Sequence, residues 1–221
     1  MPKRLVPVLI VAALAAGLGL WASQRLHGPA APAAPKLPAT RAVTLLPTPR
    51  ALSAFALQQA DGTALTPDAL KGHWTVVFLG FTHCPDVCPT TLAELAGAQK
   101  QWAALPAATR PRVLFVSADP ERDTPQLVAQ YAHAFHPDTL AATAPVPQLE
   151  AFARSLSLVF MKVPGPSGDA ADYSIDHSAA LVLLDPQARM AGVAQPPFDV
   201  KSIAADLETL TAQTANPASA K

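Results

Sequence analysis

The sequence predicts an α/β domain in which helices cover a central mixed sheet in three layers. Three observations predict it. Trp74–Leu79, Arg112–Ser117 and Ala179–Leu184 are nearly continuous apolar runs, rich in branched residues and bounded by turn residues. Runs of that kind suit strands buried on both faces. Apolar residues at helical spacing follow the first two runs. The resulting order is strand, helix, strand, helix, helix, strand, strand, strand, helix. Early right-handed crossovers followed by a late hairpin give a mixed sheet.

The chain has 221 residues, and its 16 Lys and Arg balance 16 Asp and Glu. With no basic run beyond Arg4, nothing marks a nucleic-acid-binding protein. Lys3 and Arg4 precede Leu5–Ala22, eighteen residues without a charge. At ~1.5 Å rise per residue such a run can just span a bilayer. The positive residues before it put the N-terminus in the cytoplasm and the remainder outside. Residues 1–27 are therefore expected to form a cytoplasmic N-terminus and membrane anchor, or an uncleaved signal. Residues 28–49 contain Pro29, Pro32, Pro35, Pro38, Pro47 and Pro49, and read as an extended tether. The folded domain is expected over 50–213, with a flexible tail over 214–221. A compartment outside the cytoplasm permits disulfides. Two cysteines four residues apart close too short a loop to staple a fold.

Within the domain, Leu52–Gln59 and Leu65 flank the hairpin signal Asp61-Gly62-Thr63. Thr66–Leu70 reads as a short capped turn of helix. Trp74–Leu79 is the central strand, and its C-terminal end is where open α/β sheets keep their sites. Leu92, Leu95, Ala96 and Trp102 give helical spacing from Thr90 to Leu105. After the second strand, Thr124 is an N-cap and Pro125 a first helical residue. That helix runs to Phe135, where His136-Pro137 stops it. Pro147–Leu156 is a further helix, Leu158–Val163 a strand and Pro164–Gly168 a loop. Asp185-Pro186-Gln187 turns the Ala179–Leu184 strand onto Met190–Val193. Ile203, Leu207 and Leu210 mark the last helix. This order is thioredoxin-like.

Cys84 and Cys88, the chain's only cysteines, sit at the first strand-to-helix junction. If Val87 and Cys88 lie at the first helical turn, both sulfurs can face one side. A helix N-terminus also favours thiolate. Such a pair supports either a soft metal ion or dithiol–disulfide cycling. The thioredoxin-type motif has two residues between its cysteines, whereas this chain has three. By fold analogy, thioredoxins place a proline before the late strand; here Asp176-His177-Ser178 stands there. Two thiolates with one imidazole make a metal set. Zinc usually takes a fourth ligand, while copper accepts three. His83 adjoins Cys84 but is expected to point away from the pair. Asp86 reads as a turn residue or a group tuning the cysteines. Asp119 and Asp123 read as loop and capping carboxylates, or as an acidic surface facing a partner. Asp176 is placed to orient His177, or is simply solvated. Met161 and Met190 read as packing residues.

Three stretches resemble motifs of the Sco/SenC family, in family order: Gly80–Leu92, Val116–Pro125 and Tyr173–Ser178. The resemblance implies a membrane-tethered, thioredoxin-like protein that binds one copper ion, Cu(I) or Cu(II), through Cys84, Cys88 and His177. It implies an assembly factor for the dinuclear copper centre of cytochrome c oxidase subunit II, or of a similar copper-site protein, served by an upstream copper donor. Family members deliver copper, reduce that subunit's cysteines, or both. The second role is that of a thiol–disulfide oxidoreductase using Cys84 and Cys88. A third is a copper or redox sensor whose contact surface is Pro120–Phe135. The implied location is the bacterial inner membrane, with the soluble domain in the periplasm. Ala142-Thr143-Ala144 departs from the Thr-Gly of relatives but touches no implied ligand.

Overall fold

Residues 5–27 and 38–215 are described by the computed structural model. Expectations for 1–4, 28–37 and 216–221, including much of the tether and the tail, lie outside the described residues. Two units are distinguished, Met1–Leu37 and Pro38–Lys221. The first holds helix α1 (Leu5–His27). Among the described residues no helix is long and apolar enough to cross a membrane. The expected anchor is thus a helix whose crossing the structure does not support. Its described side chains, Ile10 and those of 12–23, fall short of the run Leu5–Ala22.

The second unit begins with β1 (Thr44–Arg50), β2 (Leu57–Gln58), β3 (Ala64–Leu65), a 3-10 turn (Pro67–Leu70) and β4 (Thr75–Gly80). It continues with α2 (Val87–Trp102), β5 (Arg112–Ser117), α3 (Pro125–Phe135), β6 (Leu140–Ala142) and α4 (Val146–Ser155). It ends with β7 (Phe160–Pro164), β8 (Tyr173–His177), β9 (Leu181–Leu184), β10 (Met190–Ala194) and α5 (Val200–Ala215). Among the described residues one sheet has the order β1-β10-β9-β4-β5-β6. β4 runs parallel to β5, and β5 to β6, through crossovers that contain α2 and α3. β9 lies antiparallel to β4, and the hairpin β9–β10 completes the mixed sheet. Every residue of β4 and β9 is buried, so both faces of the sheet are covered. That is the three-layer arrangement the sequence predicts. On one helix contact, the buried Trp102 of α2 donates its indole N–H to the carbonyl of Ala204 on α5 at 3.1 Å.

Four expectations change. The tether does not reach residue 49, because its end is β1, paired with β10. Pro47 and Pro49 survive there because β1 is an edge strand, and the register shifts between Leu45 and Arg50. β6 is a strand too short and alanine-rich to signal itself. It exists because it pairs with β5, while the next residue, Thr143, exchanges backbone hydrogen bonds of 2.7 and 3.1 Å with Gln58. β7 and β8 pair only with each other and stand outside the main sheet. Met190 packs as expected, but Met161, on that hairpin, is exposed.

The chain's entry is tied down by one carboxylate. Asp206 on α5 is buried, and its oxygens accept the N–H groups of Arg41, Ala42 and Val43 at 2.9–3.0 Å. β1 then lies so close to β10 that a Cβ on Gly192 would sit 2.9 Å from the Thr44 carbonyl oxygen. Asp206→Ala would strand these donors. The expected outcome is a loss of about 3 kcal/mol of unfolding free energy in urea. The amides of Arg41–Val43 would lose protection from hydrogen exchange, and unchanged protection would refute the anchoring role.

Candidate metal centre

β4 delivers the chain to Gly80, and six loop residues later Val87 opens α2. Asp86 occupies the N-cap but makes no side-chain capping bond. Cys88 falls in the first helical turn and is fully buried, while Cys84, on the loop, is partly exposed. The Cys88 N–H donates to the Cys84 sulfur at 3.4 Å. Both cysteines are free thiols. Cys84 thus caps the turn that carries Cys88.

His177 ends β8 and brings its Nε2 to 3.6 Å from the Cys88 sulfur. The edge-on rings of Phe78 and Phe81 confine it, at centroid distances of 6.2 and 6.1 Å. Its Nδ1 lies 3.1 Å from the Ser178 carbonyl oxygen. A carbonyl can only accept, so Nδ1 donates and the Nε2 lone pair faces Cys88. Burial pulls the His177 pKa below the ordinary value, against the smaller opposing effects of the Ser178 carbonyl and Asp176. The ring is therefore neutral at pH 7, the form that ligates metals. The orienting group is the Ser178 carbonyl rather than Asp176, which is exposed.

The thiols correct another expectation. Burial pushes the Cys88 pKa far above the ordinary thiol value, and a backbone hydrogen bond from Phe81 only partly opposes it. A helix N-terminus is worth about 0.3–1 kcal/mol to a nearby anion. Removing a thiolate from water costs several times that. At Cys88 burial wins, and the residue is a neutral thiol until a cation takes the proton's place. The sulfur is this deep because residue 80 is glycine: a Cβ there would lie 2.8 Å from it and 2.9 Å from the Phe115 ring.

The remaining candidates form a separate knot. Asp123 is fully buried and accepts the N–H of Thr82 at 2.8 Å and the hydroxyls of Thr82 and Ser117 at 2.5 Å each. Asp119, also buried, accepts from the Tyr173 hydroxyl at 2.8 Å and pairs with Arg122 at 2.5 Å. Neither carboxylate can be part of an acidic surface facing a partner; both hold loops together. His83 turns to Thr82 Oγ1 (3.0 Å) and Asp123 (3.5 Å), away from the cysteines as expected. His83, Asp119 and Asp123 offer ligand atoms within 4.8 Å of one another, but the carboxylates already serve these hydrogen bonds. Gly80 and Tyr173 lie within the motif stretches Gly80–Leu92 and Tyr173–Ser178, but residue type alone assigns neither a separate role. A glycine ending a buried strand beside a cysteine was the available signal for the first.

The arrangement converges one buried thiol, one accessible thiol and one neutral imidazole. Those donors fit a soft, low-coordinate ion such as copper, and the two thiols alone fit disulfide chemistry.

Comparison with known proteins agrees. The SCO1/SenC family model matches residues 44–212. A candidate copper-binding protein of Stutzerimonas stutzeri is 34% identical over 163 residues, covering 73% of this chain and 77% of that one. The mitochondrial SCO1 homolog 1 of Arabidopsis thaliana is 36% identical over 152 residues. That match covers 67% of this chain but only 43% of the relative, less than half its length. The crystal structure of Arabidopsis thaliana ScoI with copper bound superimposes with a TM-score of 0.66 at 33% identity, over 73% of this chain and 98% of that one.

The burial difference predicts an order of reaction. Iodoacetamide should modify Cys84 of the reduced protein well before Cys88, read by peptide mass spectrometry. Gly80→Ala, which forces the Cys88 sulfur outward, should speed Cys88 modification and lower stability by about 1–3 kcal/mol. Equal rates for the two thiols in the unmodified chain would contradict the geometry.

Proposed function

The chain belongs to the SCO1/SenC family, and on that premise we propose that it binds one copper ion through Cys84, Cys88 and His177 as an assembly factor for the dinuclear copper centre of cytochrome c oxidase subunit II. The observation that carries the reading is the approach of Cys88 Sγ and His177 Nε2 to 3.6 Å, with Nδ1 tied to a carbonyl so that the lone pair points at the sulfur. Relatives support the choice of metal, since the Arabidopsis structure contains copper. Copper would supply the positive charge that lets the buried Cys88 ionise. Cys84, partly exposed beside the exposed Asp86 and Val87, is the ligand a partner can reach first. A three-coordinate site leaves room for an incoming sulfur or imidazole, so cargo passes by ligand exchange.

A second role has its own support. Cys84 is the accessible thiol of the pair and can act as the attacking group, with the buried Cys88 beside it to resolve a mixed disulfide. In that role Cys84 attacks a disulfide sulfur of the partner and releases one partner thiolate. Cys88 then displaces the second, leaving the partner dithiol and a Cys84–Cys88 disulfide.

The test is a copper titration of the reduced full chain. One copper per chain is expected, with affinity falling at least ~10-fold in Cys84→Ser, Cys88→Ser and His177→Ala. Undiminished binding after oxidation to the disulfide would overturn the ligand set. Loss of disulfide reduction but not of copper in the cysteine variants would favour the second role. The domain is further proposed to hang from the inner membrane on the periplasmic side, supported by the uncharged run behind Lys3 and Arg4. Retention in membranes through alkaline carbonate washing is expected; release would end that proposal.

A further inference from the structure

His177 reaches the cysteines from a hairpin that shares no ladder with the main sheet. Along β8 the side chains alternate: Ser174 and Asp176 are exposed, whereas Tyr173, Ile175 and His177 face inward. Ile175 is buried and anchors the strand by packing. Tyr173 anchors it by polar contacts. Its ring lies between two cations, the Arg122 guanidinium carbon 3.7 Å and the Lys162 Nζ 3.8 Å from the ring centroid. Its hydroxyl donates to Asp119 at 2.8 Å, and its carbonyl accepts from Arg122 at 3.0 Å. Lys162, across the hairpin on β7, pairs with Glu121 at 2.6 Å. Burial and the Asp119 bond push the Tyr173 pKa up to about 12, so its hydroxyl keeps the proton it donates.

Asp119, Glu121 and Arg122 all belong to the loop between β5 and α3. The same loop supplies Asp123, which grips Thr82 in the cysteine loop. One bracket therefore holds both ligand-bearing segments. We propose that Tyr173 is a positioning residue: clamped between Arg122 and Lys162 on the Asp119–Arg122 loop, it sets the His177 imidazole against the Cys88 sulfur. The proposal rests on the copper-site reading above.

The experiment compares the reduced full chain with Tyr173→Leu, Tyr173→Phe, Lys162→Met, His177→Ala and the double variant Tyr173→Leu/His177→Ala. Cu(I) affinity is read by chelator competition, and Cys88 alkylation is read without copper. Tyr173→Leu should weaken copper binding about 10-fold. It should add nothing in the His177→Ala background, because both changes remove the same ligand. It should also speed Cys88 alkylation by freeing the hairpin that covers the sulfur. Tyr173→Phe, which keeps the ring between its cations, and Lys162→Met should each give part of these effects; should Tyr173→Leu fail to fold, they carry the test. Full additivity in the double variant would overturn the proposal, since a merely stabilising tyrosine would act independently of His177. If His177→Ala leaves affinity intact, the copper-site reading falls. The positioning role is then judged by Cys88 alkylation alone, and a rate unchanged in every Tyr173 and Lys162 variant would overturn it.

Discussion

The contact on which the site depends is that of the Cys88 sulfur with the backbone of Gly80. β4 is buried on both faces, so its last residue has no freedom to move aside. A sulfur packed against that residue inherits the strand's fixed position. It also fixes where α2 begins, because Cys88 stands in the first turn of that helix. Cys84 follows, held by the Cys88 N–H. Two of the three donors are thus placed by the core of the fold and not by the loop that carries one of them.

Burial at this point has a chemical consequence. A thiol packs in an apolar pocket like any small hydrophobe, whereas a lone thiolate there would lack both water and a counter-charge. The metal-free site is accordingly comfortable as a neutral thiol beside a neutral imidazole. A soft cation changes the balance by supplying the charge that water cannot. The exposed member of the pair is under no such constraint. The two cysteines, alike in sequence, are therefore unequal in exposure, an inequality that would suit either of the roles proposed above.

The parts of this arrangement legible in the sequence are those that one stretch of chain determines by itself. The runs at Trp74–Leu79, Arg112–Ser117 and Ala179–Leu184 favour buried strands by their branched residues and short length, and the cysteines mark the junction after the first. β1 was hidden because its prolines suit a tether as well as an edge strand, and what decides between them, pairing with β10 and the Asp206 carboxylate that holds the chain just ahead of the strand, lies far away in sequence. β6 was hidden because a Leu-Ala-Ala strand has little propensity of its own and is made by its neighbours. Asp119, Asp123 and Asp176 are the same residue type in similarly polar stretches of sequence, yet two are buried and one is exposed. Sequence pattern cannot separate them, because Thr82, which binds Asp123 through both its N–H and its hydroxyl, comes from another segment. At Cys88 the thiolate read from the helix terminus failed for a related reason: the terminus is local information, and the depth of the pocket is not.

The two halves of the site are also held by different forces. The cysteine half rests on close packing, which changes little unless the core itself opens. The histidine half rests on a hairpin outside the sheet, fixed by one buried isoleucine and by ion pairs and hydrogen bonds to the β5–α3 loop. Contacts of the second kind are individually worth little at a partly exposed surface, on the order of 1 kcal/mol or less. In the role proposed above, that asymmetry would help a protein both to hold and to surrender its cargo. Withdrawing an imidazole on such a hairpin requires no disturbance of the core, whereas withdrawing Cys88 would require moving β4 or α2. If these groups hold a metal ion as proposed, the imidazole would be the donor whose withdrawal disturbs the fold least, and Cys88 the one whose withdrawal disturbs it most.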